Sequence, residues 1–176
     1  PDLITIAKGL TSAYAPLSGS IVSEKVWNVL SKGTDENGPF GHGWTYSAHP
    51  IGAAAGIANL ELIDKMELVK NAKKTGLYLN QKLSEALKDH PNIGEVRGEG
   101  MISAVEFISK KESREYFKPD QKIGPKVSEA LAKNGVIGRA MPQGDILGFA
   151  PPLSLSKPEA DIIVNASREA VKTIFG

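Results

Sequence analysis

The chain has 176 residues, 41% hydrophobic and 23% charged, which excludes a disordered polymer and suits one packed domain or two small ones. Lysine and arginine number 21 against 20 acidic residues, a formal charge of +1, so no basic field draws a nucleic acid or an anionic membrane surface. Cysteine is absent, which excludes a disulfide scaffold and a thiolate metal site and leaves the cytoplasm as the default compartment. The most apolar stretch, IGAAAGIANLELI, meets Asn59 and Glu61 too early for a membrane span. No charged segment leading into an apolar core opens the chain, so nothing reads as a signal peptide. The start at Pro1, apparently in mid-fold, reads as a fragment.

In chain order, Leu3 to Ala7 predicts a short buried strand and Gly19 to Ser23 a second. Ser23 is placed to cap a short helix, EKVWNVLSK, ended by Gly33. From Gly33 to His49 the sequence is rich in Gly, Pro, Asn and aromatics, a loop long enough that function or disorder is the usual explanation. Pro50 suits the first turn of an Ala-rich helix to about Met66. A second helix, from Glu67 to Asp89, sets Leu79, Leu83 and Leu87 on one face.

The texture changes near Pro91. IGEVRGEGMISAVEFI alternates as a strand pair bent at Gly98 to Gly100, and a charged helix from about Pro125 to Lys133 ends at Asn134 and Gly135. VIGRAMPQGDILGFAPP predicts a hairpin turning at Pro142 to Gly144. Ser156 and Glu159 form a capping box for a last helix that buries Ile163, Ala166, Ala170 and Ile174. The expected organisation is two units, residues 1–70 and a smaller α+β unit, residues 71–176.

His42, His49 and His90 lack the spacing of a helical metal site, and no metal is expected. Lys8 is the first residue that carries a question. A strand that ends on a lysine brings an ammonium towards the interior, where charge is costly, unless it turns to water or has chemistry to do. By ordinary burial statistics Lys8 is a solvated loop lysine, Arg139 a surface strand arginine or structural ion pair, and Thr45 a hydroxyl satisfying local backbone.

Together, PDLITIAKGL, APLSG, HGWTYSAHP, VRGEGM and GDILGFAPPLSLSKPEAD, in that order across essentially the whole chain, closely resemble the class III aminotransferases. These are pyridoxal-phosphate enzymes of fold type I, and GVIGRAMPQGDILGFAPPL is most similar to the ω-amine:pyruvate subgroup. The resemblance implies an α/β fold, the C-terminal half of such an enzyme: residues 1–70 from the large cofactor domain and residues 71–176 the small C-terminal domain. It implies that Lys8 binds pyridoxal 5′-phosphate as a Schiff base and later moves the catalytic proton, its neutral amine favoured by burial at the strand end. Thr45 aligns with the threonine that binds the cofactor phosphate of the neighbouring subunit, which implies a homodimer with shared sites. Arg139 aligns with the mobile arginine that pairs with pyruvate's carboxylate, helped by a flexible setting between Gly138 and the Pro142–Gly144 turn. Arg97 reads as structural, and Trp44 and Tyr46 as packing for the loop.

The activity so implied is transfer of an amino group from a primary amine or amino acid to a keto acid such as pyruvate. The acid that pairs with the pyridine nitrogen, the glycine-serine phosphate loop and the ring-stacking aromatic are expected upstream of Lys8, so the chain alone is expected to be inactive. Two alternatives stand beside it: another class III enzyme, such as an aminomutase or decarboxylating transaminase, and a non-catalytic dimerisation module with the same fold.

Overall fold

A computed structural model describes all 176 residues, which divide into two compact units, Pro1–Met66 and Glu67–Gly176. In the first, strands β1 (Leu3–Ile6) and β2 (Gly19–Val22) pair antiparallel from Leu3 opposite Val22 to Ile6 opposite Gly19. The Ser23 side chain accepts from the Val26 N–H and starts helix α1 (Glu24–Asn37). This helix passes through Gly33, the expected stop, and ends at Gly38, whose φ of 81° takes the left-handed position that favours glycine. Asn37 Nδ2 donates to the Gly33 carbonyl at 3.3 Å, so Gly33 serves as an ordinary helical residue and the irregular loop begins only at Gly38. Pro50 opens helix α2 (Pro50–Lys65).

The first unit has no interior of its own. None of its apolar side chains is buried, and β1, expected as a buried strand, is exposed along most of its length. Alternation and β-propensity identify a strand, but burial depends on layers stacked against it, and here β1 pairs with β2 alone.

The second unit holds the whole hydrophobic core. After helix α3 (Leu68–Leu87), strands β3 (Ile93–Glu99) and β4 (Ile102–Phe107) form a hairpin that turns at Gly100 and Met101, leaving Gly98 within β3. Helix α4 (Ile123–Lys133) starts two residues before the expected Pro125, because proline in a first turn has no N–H to lose. It ends at Asn134, with Gly135 at φ 80°. Strands β5 (Arg139–Ala140) and β6 (Ile146–Phe149) complete an antiparallel sheet of order β3-β4-β6-β5.

Period-2 alternation gives this sheet two unlike faces. Ser103, Val105 and Phe107 of β4, with Leu147 and Phe149 of β6, are buried in the core with residues of α3, α4 and helix α5 (Lys157–Phe175). Leu79, Leu83, Val105 and Phe107 are excluded from water almost completely, each stabilising the unit by about 1.5–3 kcal/mol. Helix α3 packs closely on the β3–β4 turn: a Cβ on Gly76 would stand 2.0 Å from the Gly100 carbonyl oxygen. Helix α5 begins with the expected capping box, Glu159 accepting from the Ser156 N–H at 2.8 Å and Oγ at 2.7 Å. Ile163, Ala166 and Ala170 are buried on its inner stripe and Ile174 partly so. No helix is long and apolar enough to cross a membrane.

Candidate active site

Lys8 lies at the first residue of a 3-10 turn, Lys8–Leu10, directly after β1. Its φ of 52° is left-handed, a region seldom occupied by a residue with a side chain, and Ser12 and Ala13 share it at 50° and 64°. Three strained residues within six must be held by something. Asn59 of α2 donates to the Gly9 and Leu10 carbonyls at 2.9 and 3.2 Å and accepts from Ser12 Oγ at 2.7 Å. Within the turn, Thr11 Oγ1 donates to the Ala15 carbonyl at 2.6 Å.

The Lys8 side chain is exposed, not buried as expected of a strand end, because the turn swings it out of the pair and no layer of this chain covers it. It forms part of the wall of a concavity of about 1020 Å³ that includes Ser18, Ser20, His42, Trp44 and His49. This juxtaposition brings residues 42–49 to the lysine turn within one unit. Thr45 lies in the turn Trp44–Ser47, where the Ser47 N–H donates to the Trp44 carbonyl at 2.9 Å, and it does not line the lysine concavity. Spacing concealed His42, His49 and the serines, since only the folded loop sets them beside Lys8. Trp44 and Tyr46 are 73% and 80% exposed and pack only within the loop. Their contacts are with histidines, Trp44 edge-on to His42 at 4.8 Å and Tyr46 tilted to His49 at 6.0 Å.

The pyridoxal phosphate implied by the motifs needs a free primary amine for its aldehyde and polar groups for its phosphate. Lys8 has no ion-pair partner, and hydroxyls and imidazoles share its concavity, so the residues present fit that group.

Arg139 belongs to the second unit. Strand register sets Arg97, Ala104, Gly148 and Arg139 in one transverse row on the sheet face away from the helices. They line a groove of about 740 Å³ with Met141 and Ile146. Arg97 Nη1 donates to Glu106 at 2.7 Å and Glu95 at 2.9 Å, and the hydrogen bond to Glu106 raises its guanidinium above its ordinary value. Arg97 therefore has the structural ion pairs expected of it, whereas Arg139 is exposed and unpaired.

The backbone under Arg139 is not the flexible hinge expected from Gly138. A Cβ there would come within 2.6 Å of Leu131 Cδ2 and 3.0 Å of Leu147 Cδ1, so the glycine serves close packing. Ser128 Oγ donates to the Gly138 carbonyl at 2.6 Å, and across the hairpin Asp145 Oδ1 accepts from the Gly124 N–H at 2.8 Å.

The class III aminotransferase family model matches residues 1–171. The chain is 55% identical over 174 residues to the diaminobutyrate–2-oxoglutarate transaminase of Halomonas elongata, covering 99% of this chain and 37% of that protein. It is 38% identical to the putrescine–pyruvate aminotransferase of Pseudomonas aeruginosa, covering 97% of this chain and 36% of that one. Among solved structures it superposes on a thermostable (S)-enantioselective ω-transaminase from Thermomicrobium roseum with TM-score 0.91 and 38% identity, over 100% of this chain and 38% of that chain. A transaminase obtained by ancestral reconstruction gives TM-score 0.96 at 57% identity, over 99% of this chain and 38% of that chain. The chain thus spans a little over a third of the relatives it matches.

Proposed function

Because this chain belongs to the class III aminotransferases, a pyridoxal-phosphate-dependent family of fold type I, we propose that it carries the lysine and acceptor-binding arginine of an amine:keto-acid transaminase. The observation that supports this best is Lys8: an unpaired amine on a strained turn, walled into a concavity with hydroxyls and imidazoles. In this reading residues 1–70 belong to the large cofactor domain and residues 71–176 form the small domain.

Lys8 is the residue that would hold the cofactor, through Nζ. When bound, pyridoxal phosphate supplies an aldehyde that captures amines and a ring that accepts the electron pair left on the donor carbon. The freed Nζ of Lys8 is a general base for the donor carbon's proton and returns it on the cofactor side, a transfer that asks for a neutral amine held within hydrogen-bond reach. Thr45 would hold the phosphate of a neighbouring subunit. The exposure of Phe40, Trp44 and Tyr46 on the same loop supports an interface there, and with it a homodimer.

Arg139 would receive the acceptor. Its planar fork suits a carboxylate bidentately, and it is the cation of the groove with no acid already bound. Ala104 and Gly148 leave a low floor beside it, which suits a small keto acid such as pyruvate. The unpaired Arg139 also favours transamination over the aminomutase or decarboxylating alternatives. On this reading the chain alone is inactive and the cytoplasm is its compartment.

Borohydride reduction of the complete enzyme with its cofactor, followed by peptide mapping, tests the assignment. Label is expected on Lys8, and label on any other lysine overturns it.

A further inference from the structure

We infer that Asn59 is the positioning residue for Lys8, the clamp that holds the amine-bearing turn in its strained shape. This rests on the assignment of Lys8 above and extends it to a residue with no chemistry of its own.

Lys8 starts the turn at φ 52°, and Ser12 and Ala13 close it at 50° and 64°. A side-chain-bearing residue is crowded by its own backbone in the left-handed region, so an unsupported stretch would relax to ordinary backbone angles. Relaxation at residue 8 would rotate its Cα–Cβ bond and redirect Nζ. The turn's own bonds are few: the Leu10 N–H reaches the Ala7 carbonyl at 3.1 Å, the Thr11 N–H reaches the Lys8 carbonyl at 3.3 Å, and Thr11 Oγ1 reaches forward to Ala15.

Asn59 supplies what the turn lacks. Its amide is the one side chain from elsewhere in the unit that hydrogen-bonds the turn, and it meets three groups at once: the carbonyls of Gly9 and Leu10 and the hydroxyl of Ser12. Both ends of the amide are used, so its orientation is fixed. Only an amide does this, since a carboxylate cannot donate to the two carbonyls and an alkyl group can do neither. The clamp sits on a fixed base, because Gly56 of α2, one turn before Asn59, brings the helix against Leu17, 3.0 Å from the position of an added Cβ.

The test uses the complete enzyme with Asn59→Asp, Asn59→Ala and Ser12→Ala, stripped of cofactor for the first reading and reconstituted for the second. Two quantities are read: the rate at which added pyridoxal phosphate is captured, and the pH midpoint of the bound cofactor's visible absorbance. Asn59→Asp and Asn59→Ala are expected to slow capture about tenfold or more and to shift the midpoint, with Ser12→Ala smaller in the same direction. Val127→Ala, a core change in the other unit, serves as the control: it lowers the melting temperature and leaves the midpoint where it was. Wild-type capture and midpoint in the Asn59 variants, with label still on Lys8, overturn the clamp alone. Label on a different lysine overturns the site assignment and the clamp with it. If an Asn59 variant does not accumulate, Ser12→Ala decides, and an unshifted midpoint there refutes the inference.

Discussion

Arg97 and Arg139 stand at opposite ends of one row across the sheet, separated by Ala104 and Gly148, yet they differ in kind. Arg97 is ion-paired through Nη1 to both Glu95 and Glu106, and those two negative charges disfavour a ligand carboxylate beside it. Arg139 has its fork free.

If Arg139 receives the acceptor carboxylate, Arg139→Ala in the complete enzyme should lower kcat/KM for pyruvate by roughly 100-fold or more, the loss of two charge-assisted hydrogen bonds. Turnover of a plain aldehyde acceptor should change little. Arg97→Ala should instead lower the melting temperature, since it strands the mostly buried Glu106, and leave the acceptor preference in place. Steady-state kinetics with the two acceptors checks both, and equal losses for Arg139→Ala refute the carboxylate role.

Gly138→Ala should destabilise the second unit by about 1–3 kcal/mol through overpacking against Leu131 and Leu147. It should also raise the pyruvate KM, since the displaced strand carries Arg139. Denaturant unfolding and acceptor kinetics on the same preparation measure the two effects together.

Thr45→Val keeps size and removes the hydroxyl. If that hydroxyl serves the cofactor phosphate, the variant should lose about tenfold in affinity for pyridoxal phosphate while affinity for pyridoxal, which lacks the phosphate, stays close to wild type. Titration of the apoenzyme followed by absorbance separates the two ligands. Equal losses would place Thr45 in loop folding instead.

His90 makes stability depend on pH. Burial, then the nearby Lys111 charge, pushes its imidazole below the ordinary value of 6.5. Its Nδ1 accepts from the Asn92 N–H at 3.1 Å, which requires the unprotonated nitrogen. Below about pH 6.5 the unfolded chain binds a proton that the folded chain refuses, so this contribution is present above that pH and falls as pH drops through it. Melting temperatures at pH 7.5 and 5.5 should differ more in the parent protein than in His90→Asn.

Much of the second unit was legible in the sequence because its signals are local. The Ser156–Glu159 box, the Leu79–Leu83–Leu87 face and the Asn134–Gly135 stop each depend on a few neighbouring residues, and each appears in the structure. What could not be read was set by distant partners. Gly33 looked like a stop, but the helix continued to a better one at Gly38. Gly138 reads locally as a flexible position, yet Leu131 and Leu147 lie against it in the fold. The motif at Lys8 marked the residue, whereas the amide of Asn59 lies 50 positions away in the chain from the carbonyl it holds.

The lack of buried apolar side chains in Pro1–Met66 has a consequence for where competence arises. A segment that cannot shield itself from water takes its rigidity from whatever surfaces close over it. Lys8 rides on that dependent segment, while the self-sufficient unit carries Arg139. On the reading proposed above, those surfaces belong to the rest of the large cofactor domain, and Lys8 would be set in place only as that domain closes over its turn.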